Sequence, residues 1–186
     1  EKNGKEERAL YLPAKELREL LYEARKMEGC YVMFSAVDGF YTDAKDEMFS
    51  EGVLGGYKGN KSVVEDLEAY VDKSIKMAIY CPDGAIDIYK EVNKRWGDRF
   101  SVNISGDRWV DINLQEATKG KAVAWIQQQT GASPEETVVF GDNFNDMSML
   151  KQAHYSFASE LSHPDVKAAA HYQVASWKVD GVLAVL

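Results

Sequence analysis

Apolar side chains along the first 114 residues follow two different periods. Leu17, Leu20 and Leu21 recur at helical spacing after Pro13, which predicts a helix that begins at the proline and ends near Gly29. Short, mostly apolar runs predict strands instead. We predict strands at residues 30–37, 40–41, 74–80, 100–104 and 109–114, and a second helix at 82–96. Several strands with few helices indicate an open α+β sheet with its helices on one face.

Three segments of this region have less regular patterns. Residues 42–50 form a short polar connection of helical or irregular character, and residues 62–72 fit neither period. The Asn3-Gly4 step is typical of a hairpin turn, and residues 9–12 would be its second arm. The first arm would lie before Glu1, so we expect a strand of this domain to precede the sequence.

The pattern changes after Leu114, where short apolar runs alternate with helical segments. Helices are predicted at residues 119–130 and 164–170, and strands at 137–140, 155–158 and 172–175. This alternation is typical of a doubly wound, Rossmann-type α/β fold. The predicted fold class is therefore α/β with two domains, an α+β domain at residues 1–114 that lacks its first strand and part of a doubly wound core at residues 115–186.

Composition narrows the range of functions. The chain has 186 residues and a formal net charge of −8, which argues against a nucleic-acid or membrane-surface partner because either would favour a basic face. No apolar run is long enough to span a membrane, and no signal peptide is visible. Cys30 and Cys81 lie in separate apolar runs. Two buried free thiols in the cytoplasm are therefore expected rather than a disulfide.

The candidate chemistry is concentrated in the junction from Thr137 to Leu150. A β-branched and aromatic run ends at Gly141, and four polar side chains follow it before an apolar pattern resumes: Asp142, Asn143, Asn145 and Asp146. A loop between a strand and a helix lies at the carboxyl edge of a parallel sheet, where open α/β folds bind ligands. Carboxylate and amide oxygens suit Mg²⁺.

The junction has two other possible roles. Asp and Asn are common turn formers and helix caps, so the loop could be only a well-capped turn, although one carboxylate would suffice for a cap. A helix-loop-helix calcium site fits poorly, because Phe144 would occupy its third position and no glycine stands at the sixth.

Three motifs in order carry a family resemblance. The sequence GDNFND at residues 141–146 resembles the GDxxND signature of the haloacid dehalogenase-like hydrolases, specifically the Cof-type phosphatases. Residues 111–123 are similar to the segment of that subfamily with a Lys-Gly pair before a helix, here Lys119-Gly120. Residues 165–172 and the later Asp180-Gly181-Val182 resemble its C-terminal pattern. The resemblance covers most of the chain.

The resemblance implies a role for each matching residue. Asp142 would ligate Mg²⁺, and Asp146 would lie behind it, orienting a metal-bound water or the lysine. Asn145 would donate its side-chain amide to the phosphoryl group. Lys119 would bind substrate and balance the charge of the nucleophile. On chemistry alone Lys121 is an alternative to Lys119.

The sequence also departs from the family pattern. The family nucleophile is the first aspartate of a DxDGT motif, and no Asp-X-Asp occurs among the 186 residues. The nearest imitation has Ala36 where the nucleophile would be, followed by Asp38 in a turn. The Leu161-Ser162 pair stands near the place where the family usually has Asn-Ala close to the site, so the resemblance implies no polar contact from this loop.

We therefore expect the cap and the C-terminal half of the core of a phosphatase whose nucleophile lies upstream. The complete protein would hydrolyse a small phosphorylated metabolite through an aspartyl-phosphate, whereas this chain alone would be inactive. Another chain or segment would cover its exposed core strand. The alternatives are a non-catalytic module that binds metal or phosphate, and an α/β interaction domain.

Overall fold

The computed structural model describes residues 8–185, apart from the side chain of Trp177. The chain divides into two units, Glu1–Gln115 and Glu116–Leu186. This division lies one residue beyond the boundary expected from the sequence. Among residues 8–185, the helices are too short or too polar to cross a bilayer.

The first unit is built on a six-stranded sheet in the order β3-β2-β1-β4-β6-β5. Neighbouring strands are antiparallel, except that β2 and β3 are parallel. Its α-helices and strands are α1 (Ala14–Ala24), β1 (Tyr31–Ala36), β2 (Gly39–Thr42), β3 (Lys61–Val63), β4 (Ser74–Tyr80), α2 (Ile86–Trp96), β5 (Phe100–Ile104) and β6 (Trp109–Leu114).

One face of this sheet forms the main core with α1 and α2. Helix α1 buries the apolar side predicted from its period, including Leu17 and Leu21. Helix α2 contributes Trp96, which is 1% exposed, and the sheet contributes residues such as Phe34 and Ile112. Full burial of each large apolar side chain stabilises the unit by about 1.5–3 kcal/mol.

The other face is covered as well, contrary to the prediction of helices on one face only. Residues 48–56 form a π-helical turn (Met48–Val53) and a 3-10 turn (Leu54–Gly56). Phe49 and Leu54 from this segment are buried against the sheet. Because the segment is rich in glycine and has too few apolar residues to show a period, the sequence did not indicate this packing.

Three further boundaries differ from the prediction. Helix α2 begins at Ile86 rather than at residue 82, because Gly84 has a φ of 116° and its N–H donates to the carbonyl of Cys81. The ambiguous residues 62–72 contain the end of β3 and most of a 3-10 helix, Leu67–Lys73. The predicted hairpin turn at residues 2–5 lies outside the described residues, and residues 9–12 form no strand.

The second unit has the alternating α/β pattern expected from the sequence. Its elements are α3 (Lys119–Thr130), β7 (Val138–Gly141), α4 (Met147–Leu150), β8 (Tyr155–Ser159), α5 (Pro164–Ala168) and β9 (Tyr172–Val174). The three strands form a parallel sheet in the order β7-β8-β9. The predicted α/β fold class is therefore confirmed.

The two faces of this smaller sheet carry different side chains and have different packing partners. Val139 and Ala158 pack with apolar side chains of the helices on one face. On the other face the rings of Phe140, Phe157 and Tyr172 stack in a row across the three strands, with centroids 5.1 and 5.2 Å apart. Tyr172 is 44% exposed. Aromatic rings usually lie inside a core, so this face has the composition of a buried surface.

Candidate functional site

A tight polar loop joins β7 to α4. The strand ends at Gly141, and a single 3-10 turn, Phe144–Asp146, follows before α4 begins at Met147. Asn143 caps this turn, because its side-chain oxygen accepts the N–H of Phe144 at 2.7 Å. Residues 141–146, called the β7–α4 loop below, therefore lie at the carboxyl end of a parallel strand, where such folds bind ligands.

Asp146 holds this loop together from within. Only 4% of its side chain is exposed. Its Oδ2 atom accepts two backbone N–H groups, from Asp142 at 2.9 Å and from Asn143 at 3.1 Å. Hydrogen bonds from N–H groups to a carboxylate are stronger than neutral ones. Asp146 therefore fixes the conformation of the residues that precede it.

Lys119 reaches the same carboxylate from another helix. Its Nζ donates to Asp146 Oδ1 at 2.5 Å, although 51% of the lysine side chain is exposed. Thr118 caps α3 by accepting the N–H of Lys121 at 3.2 Å. The side chain of Lys121 is exposed and forms no ion pair with a described residue. The structure therefore brings Lys119, and not Lys121, to the β7–α4 loop.

Gly120 explains how a lysine at the start of α3 can reach the loop. Its N–H donates to Ser148 Oγ at 3.1 Å. A Cβ atom in its place would lie 2.4 Å from the carbonyl oxygen of Ser148. Only glycine therefore lets α3 approach α4 this closely. This contact places Lys119, one residue earlier, beside Asp146.

Gly141 has a similar role inside the loop. A Cβ atom on Gly141 would lie 2.6 Å from the Cβ of Asp146. The missing side chain leaves room for the Asp146 carboxylate to fold back towards the backbone of Asp142. The sequence pointed to the charged residues of the motifs but not to Ser148, because a serine at a helix start is most often only a cap.

The environment of Asp146 keeps its carboxyl group ionised. Burial by itself would raise the pKa, because desolvation disfavours the charged form. The hydrogen bonds from Lys119 and from the N–H groups of Asp142 and Asn143 outweigh burial, so the pKa of Asp146 lies below its ordinary value. Asp146 is therefore suited to hold a cation in place and unsuited to donate a proton near neutral pH.

Replacing Asp146 by asparagine should lower the free energy of unfolding of the second unit by about 2–4 kcal/mol at pH 7. Because the folded pKa is depressed, the carboxylate stabilises the fold above the unfolded pKa, and this contribution disappears as the pH falls through the folded pKa. The difference between the two proteins should therefore shrink below about pH 4. Urea unfolding of both proteins at several pH values measures this difference in the free energy of unfolding.

Asp165→Asn is the matched control, because the Asp165 carboxylate belongs to the same unit and is 69% exposed. Because its pair with His163 is exposed, this variant should lower the free energy of unfolding by no more than about 0.5–1 kcal/mol. A difference for the Asp146 variant that stayed constant down to pH 3 would show that the charge of Asp146 does not hold the loop.

The free polar groups of the loop belong to Asp142 and Asn145. Both residues are exposed, and neither side chain is hydrogen-bonded to another residue in the part of the chain that the structure describes. The ring of Phe144, between them, contacts His163 with centroids 4.9 Å apart. Leu161 is 65% exposed and offers no polar side chain.

The free carboxylate of the β7–α4 loop fits one part of the ligand shell of a Mg²⁺ ion. Magnesium in phosphoryl-transfer sites is often bound by one or two carboxylates, with phosphate and water completing the shell. Asp142 offers a free carboxylate, whereas both oxygens of Asp146 are already engaged. Residues 8–185 contain no group of three His, Cys, Asp or Glu side chains placed to hold a metal. Asp142 would thus be the residue of this loop to hold a metal, whereas Asp146 is bonded to the backbone of its neighbours and to Lys119.

A model of the haloacid dehalogenase-like hydrolase family matches residues 1–186. The 5-amino-6-(5-phospho-D-ribitylamino)uracil phosphatase YbjI of Escherichia coli is 30% identical over 147 residues, which are 78% of this chain and 54% of that protein. The pyridoxal phosphate phosphatase YbhA of the same species is 39% identical over 74 residues, or 39% of this chain and 27% of that protein. The chain thus spans about half the length of the first of these relatives, and less of the second.

Solved structures resemble almost the whole chain. A protein from Eubacterium rectale has a TM-score of 0.85 at 23% identity, covering 94% of this chain and 67% of that one. A haloacid dehalogenase-like hydrolase from Bacteroides thetaiotaomicron has a TM-score of 0.80 at 21% identity, covering 94% of this chain and 66% of that one. At this level of identity the likeness establishes the fold.

Proposed function

Because the chain belongs to the haloacid dehalogenase-like hydrolase family, we propose that it is part of a magnesium-dependent, Cof-type phosphatase for a small phosphorylated metabolite. The observation that carries the proposal is the Lys119–Asp146 ion pair beside the exposed Asp142 and Asn145. A cation, a free carboxylate and a free amide meet at one sheet edge. Phosphoryl transfer needs this combination, because its catalysis is mostly positioning and charge stabilisation.

Each group of the β7–α4 loop has a separate task in this proposal. Asp142 would hold Mg²⁺, which when bound neutralises charge on the phosphate oxygens. Lys119 places a fixed positive charge where negative charge develops during the reaction. Asn145 donates an amide N–H to a phosphoryl oxygen. Asp146 remains ionised and holds Lys119 in position, so the lysine needs no reorganisation when substrate binds.

The nucleophile would come from outside these residues. The chain contains no Asp-X-Asp and spans about half of the E. coli phosphatase. Among the described strands β7 pairs with β8 only, so its other edge has free backbone N–H and C=O groups. Such an edge can take up a further strand. An aspartate on that strand would attack phosphorus to form an aspartyl-phosphate, which water then hydrolyses.

The proposed substrate class follows from the relatives. The two E. coli phosphatases are named for a phosphorylated ribitylaminouracil and for pyridoxal phosphate, which are both small phosphate monoesters. The first unit would be the cap domain that selects among such compounds. Two free cysteines support a reducing compartment, and we therefore propose the cytoplasm.

The test is phosphate release from a panel of sugar phosphates and pyridoxal phosphate, with and without Mg²⁺. Residues 1–186 alone should release no phosphate above background. The same chain extended by an upstream segment that carries Asp-X-Asp should release phosphate, and chelation of Mg²⁺ should stop it. Turnover by residues 1–186 alone would place the nucleophile within this chain and contradict the proposal.

A non-catalytic module is the second candidate. Such a protein would bind Mg²⁺ or inorganic phosphate at the β7–α4 loop without turning over any ester. Calorimetric titration of the extended protein separates the two functions. Binding of Mg²⁺ and inorganic phosphate without turnover of any ester in the panel would support the module.

A further inference from the structure

The two cysteines, far apart in sequence, meet at one end of the six-stranded sheet. The antiparallel register of β1 and β4 pairs Tyr31 with Tyr80 and Val32 with Ile79. One further step along this register places Cys30 opposite Cys81. Both side chains pack against the same apolar core. The sequence had suggested two separate buried thiols, but the fold brings them together.

The backbone around the two cysteines has the geometry of a cross-strand disulfide. The N–H of Cys30 donates to the carbonyl of Met27 and the N–H of Cys81 to that of Arg108, so neither bonds across the β1–β4 pair. Opposed residues of this kind form a non-hydrogen-bonded pair with Cα atoms about 4.5 Å apart. Disulfides span Cα separations of about 4.4–6.8 Å. The two sulfur atoms can therefore be bonded without displacing either strand.

We propose that Cys30 and Cys81 form a reversible intramolecular disulfide when the protein meets a small-molecule disulfide such as oxidised glutathione. The first unit would then carry a thiol-modification site that is independent of the β7–α4 loop. The two thiols differ in access, since Cys30 is half-buried and Cys81 is only 2% exposed. Cys30 is therefore the residue that the oxidant reaches first.

The exchange takes place in two steps. The Cys30 thiolate attacks one sulfur of oxidised glutathione, forms a mixed disulfide and releases one glutathione thiolate. The Cys81 thiolate then attacks Cys30 Sγ, forms the internal disulfide and releases the second glutathione thiolate. Two protein thiols lose two protons and two electrons, and one oxidised glutathione becomes two reduced molecules.

The surroundings make the pair slow to oxidise. Burial raises the pKa of the Cys81 thiol to about 12. Burial also raises the pKa of Cys30, and the nearby Asp83 carboxylate adds to that effect. Since thiolates are the attacking species, both exchange steps should be slow at neutral pH. The site thus responds to sustained oxidation rather than to brief exposure.

A disulfide here would close the segment between the two cysteines. That segment contains β2 and β3. It also contains residues 48–56, which cover the second face of the sheet. Fixing its ends reduces the entropy of the unfolded chain. Oxidation should therefore raise the melting temperature of the first unit by roughly 5–10 °C.

The experiment incubates residues 1–186 with excess oxidised glutathione and follows intact mass, free thiols and thermal unfolding. The expected product is a monomer without free thiols that has lost two hydrogen atoms and melts at higher temperature. Dithiothreitol should reverse both changes. Tryptic mapping of the wild-type protein, which depends on no variant, should recover the Cys30 and Cys81 peptides linked together.

Two variants test the order of the steps. Cys81→Ala should stop at the mixed disulfide and gain one glutathionyl group on Cys30. Cys30→Ala should stay unmodified, because Cys81 is buried. Accumulation of a stable mixed disulfide, or of intermolecular dimers, in the wild-type protein without a linked Cys30–Cys81 peptide would overturn the proposal.

Discussion

Replacing Lys119 by methionine is expected to lower kcat of the extended, active phosphatase by about 10²–10³-fold, with a smaller change in KM. Methionine keeps the length of the side chain but removes the charge that, in the proposed function, would face the phosphoryl group. The loss should fall mainly on kcat because the negative charge that Lys119 stabilises grows in the transition state. Steady-state kinetics with the best substrate of the panel measures it.

Lys121→Met is the matched control for this variant. Lys121 lies on the same helix and is exposed, and its backbone N–H bonds to Thr118 whatever its side chain. This variant should therefore keep wild-type kcat and KM. Equal losses in the two variants would mean that the net charge of α3, and not the Lys119–Asp146 pair, matters for turnover.

Stability needs to be measured beside the kinetics of the Lys119 variant. Removing the lysine leaves Asp146 with two backbone donors and no cation, so the loop could loosen as well as lose charge. Lys119→Arg restores a cation with a different shape and should recover part of kcat. If Lys119→Arg were as inactive as Lys119→Met, the position of the charge would matter more than its presence.

Replacing Gly120 by alanine is expected to lower the free energy of unfolding of the second unit by about 2–3 kcal/mol. The new Cβ would lie 2.4 Å from a backbone oxygen of Ser148, so α3 must move away from α4. That movement would also draw Lys119 away from Asp146. Amide hydrogen exchange should show faster opening of β7 and β8, while β4 in the first unit serves as an internal reference.

Gly55→Ala is the control for the Gly120 variant. A Cβ on Gly55 meets nothing within 4 Å, and its φ does not lie in the left-handed region. Alanine there should change the free energy of unfolding by about 0.5 kcal/mol or less. Unchanged exchange of β7 in the Gly120 variant would show that the close approach of α3 and α4 does not determine the stability of the site.

Helix α3 shows how far local sequence signals reach. Its predicted limits, residues 119–130, are those of the structure, because Thr118 caps its start and Gly131 adopts a left-handed φ of 75° at its end. The bounds of β5 and β6 were also predicted correctly from short apolar runs. These signals act between residues adjacent in sequence, so they can be read without the fold.

The errors arise where distant residues decide the conformation. Helix α2 was predicted to begin at residue 82, yet it begins at Ile86, because the N–H groups of Cys81 and Ala85 donate to the distant carbonyls of Arg108 and Asp107. The packing of residues 48–56 on the second sheet face was not predicted. Phe49 is buried there only because β1 and β4 present apolar side chains to it. No local period indicates such a contact.

The sequence by itself determined the α/β class, the family resemblance and the identity of the candidate residues Asp142, Asn145 and Asp146. It favoured Lys119 over Lys121 only through the resemblance, and it suggested two buried free thiols at Cys30 and Cys81. The tertiary structure decided both questions, through the contact of Gly120 with Ser148 and through the register of β1 on β4. Each depends on how two distant segments pack, which the spacing of residues along one segment does not specify.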